Sequence, residues 1–318
     1  MIVADDALRC LLCGSNDLHP WKPGRPLILQ CRSCGGGWVS EPPTAVNIEA
    51  QYQQDYYQEA SGARFLKLVE LAVLALKRLR YRSISSLTSG PGQLLDVGCG
   101  RGDLILEFQR HGWQAVGTQL SRTATAAAKA NRCLDILLGD LPDLELPPDA
   151  FDVITFFHVL EHLPDPASHL QTAFTCLKDT GIVVIEVPNF RTIGFYILGR
   201  RHLCYDQPHH LIFFSPRGLK ALLDSCGFQI QASCFFSLEY GPFTILQNWL
   251  NLLPGEPNRL YRSLMGNRAG KSLRHHPLTW IHAALGLLLA LPAALLASVS
   301  LLLPVGNTLR VYCRKKPL

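Results

Sequence analysis

Residues 93–102, Gln-Leu-Leu-Asp-Val-Gly-Cys-Gly-Arg-Gly, constrain the fold of this chain more than any other stretch. An apolar β-type run, Leu94 and Leu95, meets Asp96 and then breaks into Gly98, Gly100 and Gly102 before a helical pattern that begins near Asp103. The pattern predicts a strand, a tight turn and a helix. Glycine is required where backbone turns through positive φ or approaches a ligand closely, because a Cβ collides with either. Such a turn makes a nucleotide seat. The dinucleotide form is Gly-x-Gly-x-x-Gly with pyrophosphate on the helix N-terminus. Here the spacing is Gly-x-Gly-x-Gly with an acid two positions ahead.

Further along, strands are expected at residues 94–97, 114–117, 135–138, 151–157, 182–187 and 228–234, with helical stretches between them. Alternating β and α implies a parallel, doubly wound α/β sheet that binds ligands at the carboxyl ends of its strands. Those ends carry the candidate residues. Asp96, Gly98, Cys99, Gly100 and Gly102 follow the first strand, Gln119 ends the second, and Asp140 and Leu141 follow the third. The fourth runs into His158-Val-Leu-Glu161-His162-Leu-Pro-Asp-Pro. Ser121 is placed to cap an alanine-rich helix, and Ser215 with Pro216 opens a helix closed by Gly227.

The Asp-x-Gly-x-Gly-x-Gly loop resembles motif I of the class I S-adenosylmethionine-dependent methyltransferases. The Leu-Glu-His-Leu-Pro-Asp-Pro segment resembles motif IV of the small-molecule members. The resemblance spans roughly residues 52–236 plus a last strand at 308–313. It implies a Rossmann-like, mostly parallel seven-stranded sheet with an antiparallel last strand, and S-adenosylmethionine as cofactor. In that family the motif I loop cradles the amino-acid end of the cofactor. The position of Gln119 is usually Asp or Glu and grips both ribose hydroxyls; an amide can accept from one and donate to the other. Asp140 would accept from the adenine amino group and Leu141 would pack on the ring, with His158 also on the cofactor side. The stretch 209–216 resembles a His-x-x-x-Phe-Ser/Thr-Pro signature on the substrate side.

Methyl transfer requires a positioned nucleophile and removal of its proton, so His158, Glu161, His162 and His209 are the catalytic candidates. Sequence does not choose among the histidines. In the ubiquinone-pathway O-methyltransferases, which this stretch is similar to, a carboxylate, Glu and His at these positions can hold a divalent metal; here His158 replaces the carboxylate. His-x-x-Glu-His also matches an inverted zinc-protease pattern. That pattern needs a long helix, whereas these residues follow a buried strand and stop at Pro164.

The first segment carries Cys10-Leu-Leu-Cys13 and Cys31-Arg-Ser-Cys34, separated by 17 residues, the two-knuckle spacing of a zinc ribbon. Four protein thiolates fill a tetrahedral zinc and leave no open position, so the metal's expected role is structural, replacing a core too small to hold. Gly14 and Gly35 would turn backbone N–H groups towards sulfur. The expected organisation is a ribbon at 1–41, a cofactor-binding domain at 42–240 led by a basic amphipathic helix at 63–87, a helical insertion at 241–305, and the last strand with a basic tail at 306–318.

The net charge of +5 comes from clusters rather than a basic stripe interleaved with aromatics, so nucleic acid is not indicated. Eleven cysteines, most of them single, and an N-terminus without a basic-then-apolar leader fit a reduced cytoplasmic compartment. Residues 278–305 carry no charged side chain. Because the last strand must rejoin the sheet, Pro292 predicts a break into two helices, 278–291 and 292–303, forming a hairpin. Arg268, Lys271 and Arg274 on one side and residues 310–316 on the other would face anionic headgroups on the inner face of a membrane. Packing as a lid or in a dimer interface is the other reading. The acceptor is expected to be a small molecule, lipid-like or quinone-like. A sugar or polyketide methyltransferase and a catalytically silent cofactor-binding adaptor stay open.

Overall fold

The computed structural model describes residues 8–41, 67–122, 125–126, 134–265 and 268–317. Most of the expected alanine-rich helix lies outside them. The main sheet has seven strands: β4 (Gln93–Val97), β5 (Gln114–Gln119), β6 (Ile136–Leu138), β7 (Phe151–Phe157), β8 (Leu177–Pro188), β10 (Phe228–Cys234) and β11 (Thr308–Lys315), in the order β10-β11-β8-β7-β4-β5-β6. β4, β5, β6, β7 and β8 are mutually parallel, and β11 runs antiparallel between β8 and β10. The inner strands are apolar on both faces, as a sheet covered by helices requires: Leu94, Leu95, Val153, Ile154, Val183, Val184 and Ile185 are fully buried.

Helices α1 (Lys67–Ser85) and α2 (Asp103–Gln109) lean on one another beside β4 and β5. α3 (Pro166–Cys176) is capped by Asp165, whose carboxylate accepts from the Ser168 N–H. After β8 come α4 (Ile193–Leu198), a histidine-rich loop, and the short β9 (Ile212–Phe213). Ser215 then caps α5 (Pro216–Ser225) by accepting from the Gly218 N–H.

A second sheet holds the N-terminal segment. β1 (Leu18–Trp21), β2 (Ile28–Cys31) and β3 (Gly37–Val39) form an antiparallel ribbon that β9 extends by pairing with β3. Trp21 sits in an aromatic cluster with Phe190, Phe195, Tyr205 and Phe213, remote from it in sequence. The ribbon is thus built into the rim of the main domain.

The chain leaves that domain through α6 (Gly241–Leu250), turns at α7 (Arg259–Leu264) and α8 (Arg268–Arg274), and returns through α9 (Pro277–Ser298) to β11. Two expectations are corrected here. The apolar stretch is not a hairpin broken at Pro292: α9 runs through it as one helix. Proline's fixed φ is helical, and the helix loses one hydrogen bond there while the neighbouring Ala293 and Ala297 pack fully buried. The out-and-back path that the last strand demands is supplied by α6 against α9, with Gly241 facing Ala297 and Gly286 facing Leu246 and Leu250. Nor do residues 310–316 form an outward basic cluster. Arg310 pairs with Glu186, Arg314 donates to Thr180 and Gly181 carbonyls, Lys315 pairs with Asp149 and Asp179, and Lys316 with Asp224.

Candidate active site and cysteine ribbon

The glycine loop takes the predicted turn, with Gly98 at φ 64°, Gly100 at 57° and Gly102 at 74°, all left-handed. A Cβ on Gly98 would lie 2.7 Å from Val159 Cγ2, and one on Gly102 would lie 2.2 Å from Leu134 Cδ1. Gly98 therefore lets the loop close against the 158–162 segment, and Gly102 lets it close over Leu134. Cys99 tucks under β5, where Gly117 leaves room for its sulfur.

Asp96, Gln119 and Asp140 stand at or just after the ends of the neighbouring strands β4, β5 and β6. Asp96 is buried and accepts from the Thr155 hydroxyl at 2.6 Å; burial pushes its carboxyl up to about 6 against that hydrogen bond. The Gln119 Oε1 accepts from the backbone N–H groups of Leu120 and Ser121. Asp140 caps the turn containing buried Leu141, and its Oδ1 meets His169 Nε2 at 2.5 Å. His169, on α3, has its Nδ1 on the Asp165 carbonyl. Sequence reasoning missed Thr155 and His169, since neither belongs to a motif and both act from neighbouring elements.

His158 ends β7 with φ 56°, a left-handed conformation that a non-glycine residue holds only when its surroundings fix it. Its Nδ1 lies 3.0 Å from Glu161 Oε1 and its Nε2 lies 3.2 Å from Glu186 Oε1, while Tyr240 packs on its ring. Burial disfavours the charged ring, but the two carboxylates outweigh it and raise its pKa to about 9. Glu186 is fully buried and also receives Arg80 and Arg310. Burial alone would raise its carboxyl, and the Arg80 charge with the other partners instead holds it well below the carboxylate range. Arg80 stacks over Phe157 and bridges to Glu239, which also takes Lys77. A lone glutamate within the apolar run Ile-Val-Val-Ile-Glu-Val was the available signal for this network.

His162 is different. Its Nδ1 is 3.0 Å from the His209 carbonyl, which can only accept, so the proton sits on Nδ1 and Nε2 carries the lone pair. Burial and the neighbouring His210 lower its pKa to about 4. His210 is held the same way, Nδ1 on the Cys204 carbonyl. Glu161 is 1% exposed, and its Oε2 has no hydrogen-bond partner. The ligand atoms of Glu161, His162 and His210 all lie within 4.8 Å of one another. That trio fits a divalent cation, whereas His158, ion-paired to two carboxylates, does not. His209 instead faces Asp206, Nδ1 to Oδ1 at 3.7 Å.

In the ribbon, Cys10, Cys13, Cys31 and Cys34 bring four sulfurs within 4.8 Å of one another. The Cys10–Cys34 and Cys13–Cys31 separations are both 3.7 Å, close to the edge of about 3.8 Å that a tetrahedron with Zn–S of about 2.3 Å requires. The thiols are free rather than disulfide-bonded. The Leu12 N–H points at the Cys10 sulfur, while the Gly14 and Gly35 N–H groups close their turns onto the Cys10 and Cys31 carbonyls.

The methyltransferase domain family matches residues 70–233. Over 164 residues the chain is 29% identical to a ubiquinone biosynthesis O-methyltransferase from Vibrio cholerae, covering 48% of this chain and 66% of that protein. The Rhodopseudomonas palustris protein of the same name is 31% identical over 129 residues, covering 38% and 51%. The chain thus spans two thirds or less of the length of these relatives. Among solved structures, the 4+2 cyclase SpnF superposes with a TM-score of 0.54 at 20% identity, covering 86% of this chain and 97% of that one. That likeness concerns the fold alone, and its name shows that this fold serves other chemistry too.

Proposed function

Because this chain belongs to the methyltransferase domain family, we propose that it is an S-adenosylmethionine-dependent enzyme that methylates a small, quinone-like or lipid-like acceptor. The observation that carries the reading is the contact between two loops. Val159 packs against Gly98, so the segment bearing His158, Glu161 and His162 sits against the motif I turn that holds the cofactor in this family. When bound, the cofactor supplies a methyl group already activated by its sulfonium. The chain's own residues then have to orient the acceptor and take its proton. His162 is the base: it is neutral near pH 7, its tautomer is fixed by the His209 carbonyl, and Nε2 has the lone pair. His158 is charged and serves to hold Glu161. The Glu161, His162 and His210 cluster offers an alternative to the role of His162 as base: a divalent cation held there would occupy the His162 Nε2 lone pair and would polarise an acceptor oxygen instead. The names of the ubiquinone-pathway relatives support a quinone-like acceptor.

Isothermal calorimetry tests the cofactor side. Micromolar binding of S-adenosylmethionine, lost in Gly98→Val, supports the reading; no binding by the full chain refutes it. The silent-adaptor reading is favoured by Gln119, whose carbonyl oxygen is engaged by its own backbone. It predicts binding with no turnover on any acceptor.

The ribbon is proposed to carry one structural zinc, and the arm formed by α6 to α9 to lie on a membrane surface. Residues Pro277–Leu301 are long and apolar enough to cross a bilayer, yet only 22% of the window is buried. Both ends of the arm return to the sheet, and the tip carries Arg262, Lys271 and Arg274. Drawing those across would cost about 2.5–3.5 kcal/mol per arginine or lysine, so the arm lies in the interface.

A further inference from the structure

The ribbon and the histidine pair are joined by a short chain of hydrogen bonds. β3 pairs with β9, Gly37 opposite Phe213 and Trp38 opposite Ile212, and the Val39 N–H continues the ladder onto the Leu211 carbonyl. The Leu211 N–H in turn donates to the Glu161 carbonyl at 2.7 Å. Directly before Leu211 stand His209, whose carbonyl fixes His162, and His210. The sulfur knuckles themselves grip the same segment. Buried Ser215 donates its hydroxyl to the Cys34 carbonyl at 2.7 Å, and a Cβ on Gly218 would lie 2.7 Å from Leu12 and 3.5 Å from the Cys34 sulfur. On the far side Arg200 donates to the Pro23, Arg25 and Pro26 carbonyls of the ribbon turn. On the cofactor side, Asp96 and Asp140 are held by Thr155 and His169 instead.

We propose that the cysteine ribbon is the outer wall of the acceptor side, and that its metal positions His162 and His210 through β3, β9 and Leu211 while leaving the cofactor seat unaffected. Ser215, whose hydroxyl ties the segment to the Cys34 carbonyl, is the positioning residue. The inference rests on zinc loading of the four cysteines, and the test separates the two claims.

Full-length reduced protein is analysed for zinc, then stripped with a chelator and compared with the loaded form by hydrogen exchange, calorimetry and nitrogen NMR of labelled histidines. Stripping should speed exchange about tenfold or more in peptides covering residues 203–215 as well as in the ribbon. The hydrogen-bonded His162 Nδ1–H signal should be lost, and S-adenosylmethionine affinity should stay within about twofold. Added zinc should restore both the exchange pattern and the signal. Faster exchange confined to residues 8–41 would overturn the proposal, as would an equal loss of cofactor affinity. Ser215→Ala, with zinc retained, should reproduce the faster exchange at 203–215 and Ser215→Thr should reverse it. If the purified chain holds no zinc, the metal part of the proposal falls, and unchanged exchange at 203–215 in Ser215→Ala overturns the positioning part.

Discussion

Two carboxylates converge on His158, and that arrangement divides labour between histidines that look alike in sequence. Raised to about 9, His158 is a cation near neutrality and a poor proton acceptor; lowered to about 4, His162 is neutral there. The His158 contribution to stability has a defined pH window. Its folded pKa lies above the unfolded value of about 6.5, so the stabilisation is complete below pH 6.5 and is lost as pH rises through about 9. The gap in melting temperature between the parent and His158→Asn should therefore be constant in mild acid and close between pH 6.5 and 9; a gap that widens with pH would refute the ion-pair assignment. Glu186→Gln leaves two guanidiniums facing a neutral amide in a buried site, and chemical denaturation should show a loss of about 3–5 kcal/mol. A loss under 1 kcal/mol would mean that water reaches the network. Gly98→Val should abolish cofactor binding because the side chain meets Val159 and the backbone holds φ 64°. Gln119→Glu should keep binding or improve it, since one carboxylate oxygen can still take the Leu120 N–H while the other is left for ribose.

Among the elements, those set by local pattern were legible in advance. β7 and β10 fall on the expected residues, and the seven-stranded sheet with its antiparallel β11 follows from strand alternation and the family resemblance. The strand ends that carry Asp96, Gln119 and Asp140 could be inspected because an α/β sheet fixes where its ligands bind. Contacts between distant segments were not legible. Nothing local to Ile212 and Phe213 announces a strand that pairs with Trp38 and Gly37, and nothing near Asp140 announces His169. Pro292 misled for a related reason: its helix-breaking cost is local, whereas the packing of Ala293 and Ala297 against α6 that keeps α9 continuous is tertiary. The charged residues of the last strand looked like a headgroup-facing cluster until their carboxylate partners, remote in sequence, were in place.

On the scale of the whole molecule, the glycine loop, the histidine wall and the ribbon lie at one end of the main sheet, and the α6–α9 arm extends from it. Leu287 on α9 is 82% exposed, in the company of Leu288, Leu291 and Leu295, an apolar run of the kind that marks a contact surface. The chain should co-sediment with vesicles rich in anionic lipid, and Leu287→Asp with Leu291→Asp should abolish this without lowering cofactor affinity; sedimentation unchanged by the pair would shift the arm to a lid or a dimer interface. The central claim is methyl transfer with His162 as the base, and one measurement reaches it directly: production of S-adenosylhomocysteine by the full chain across a panel of catechols and hydroxyquinols. The account predicts turnover on at least one acceptor, reduced about 10²–10⁴-fold in His162→Gln while cofactor affinity is kept. Tight cofactor binding with no product on any acceptor, or full activity in His162→Gln, would contradict it.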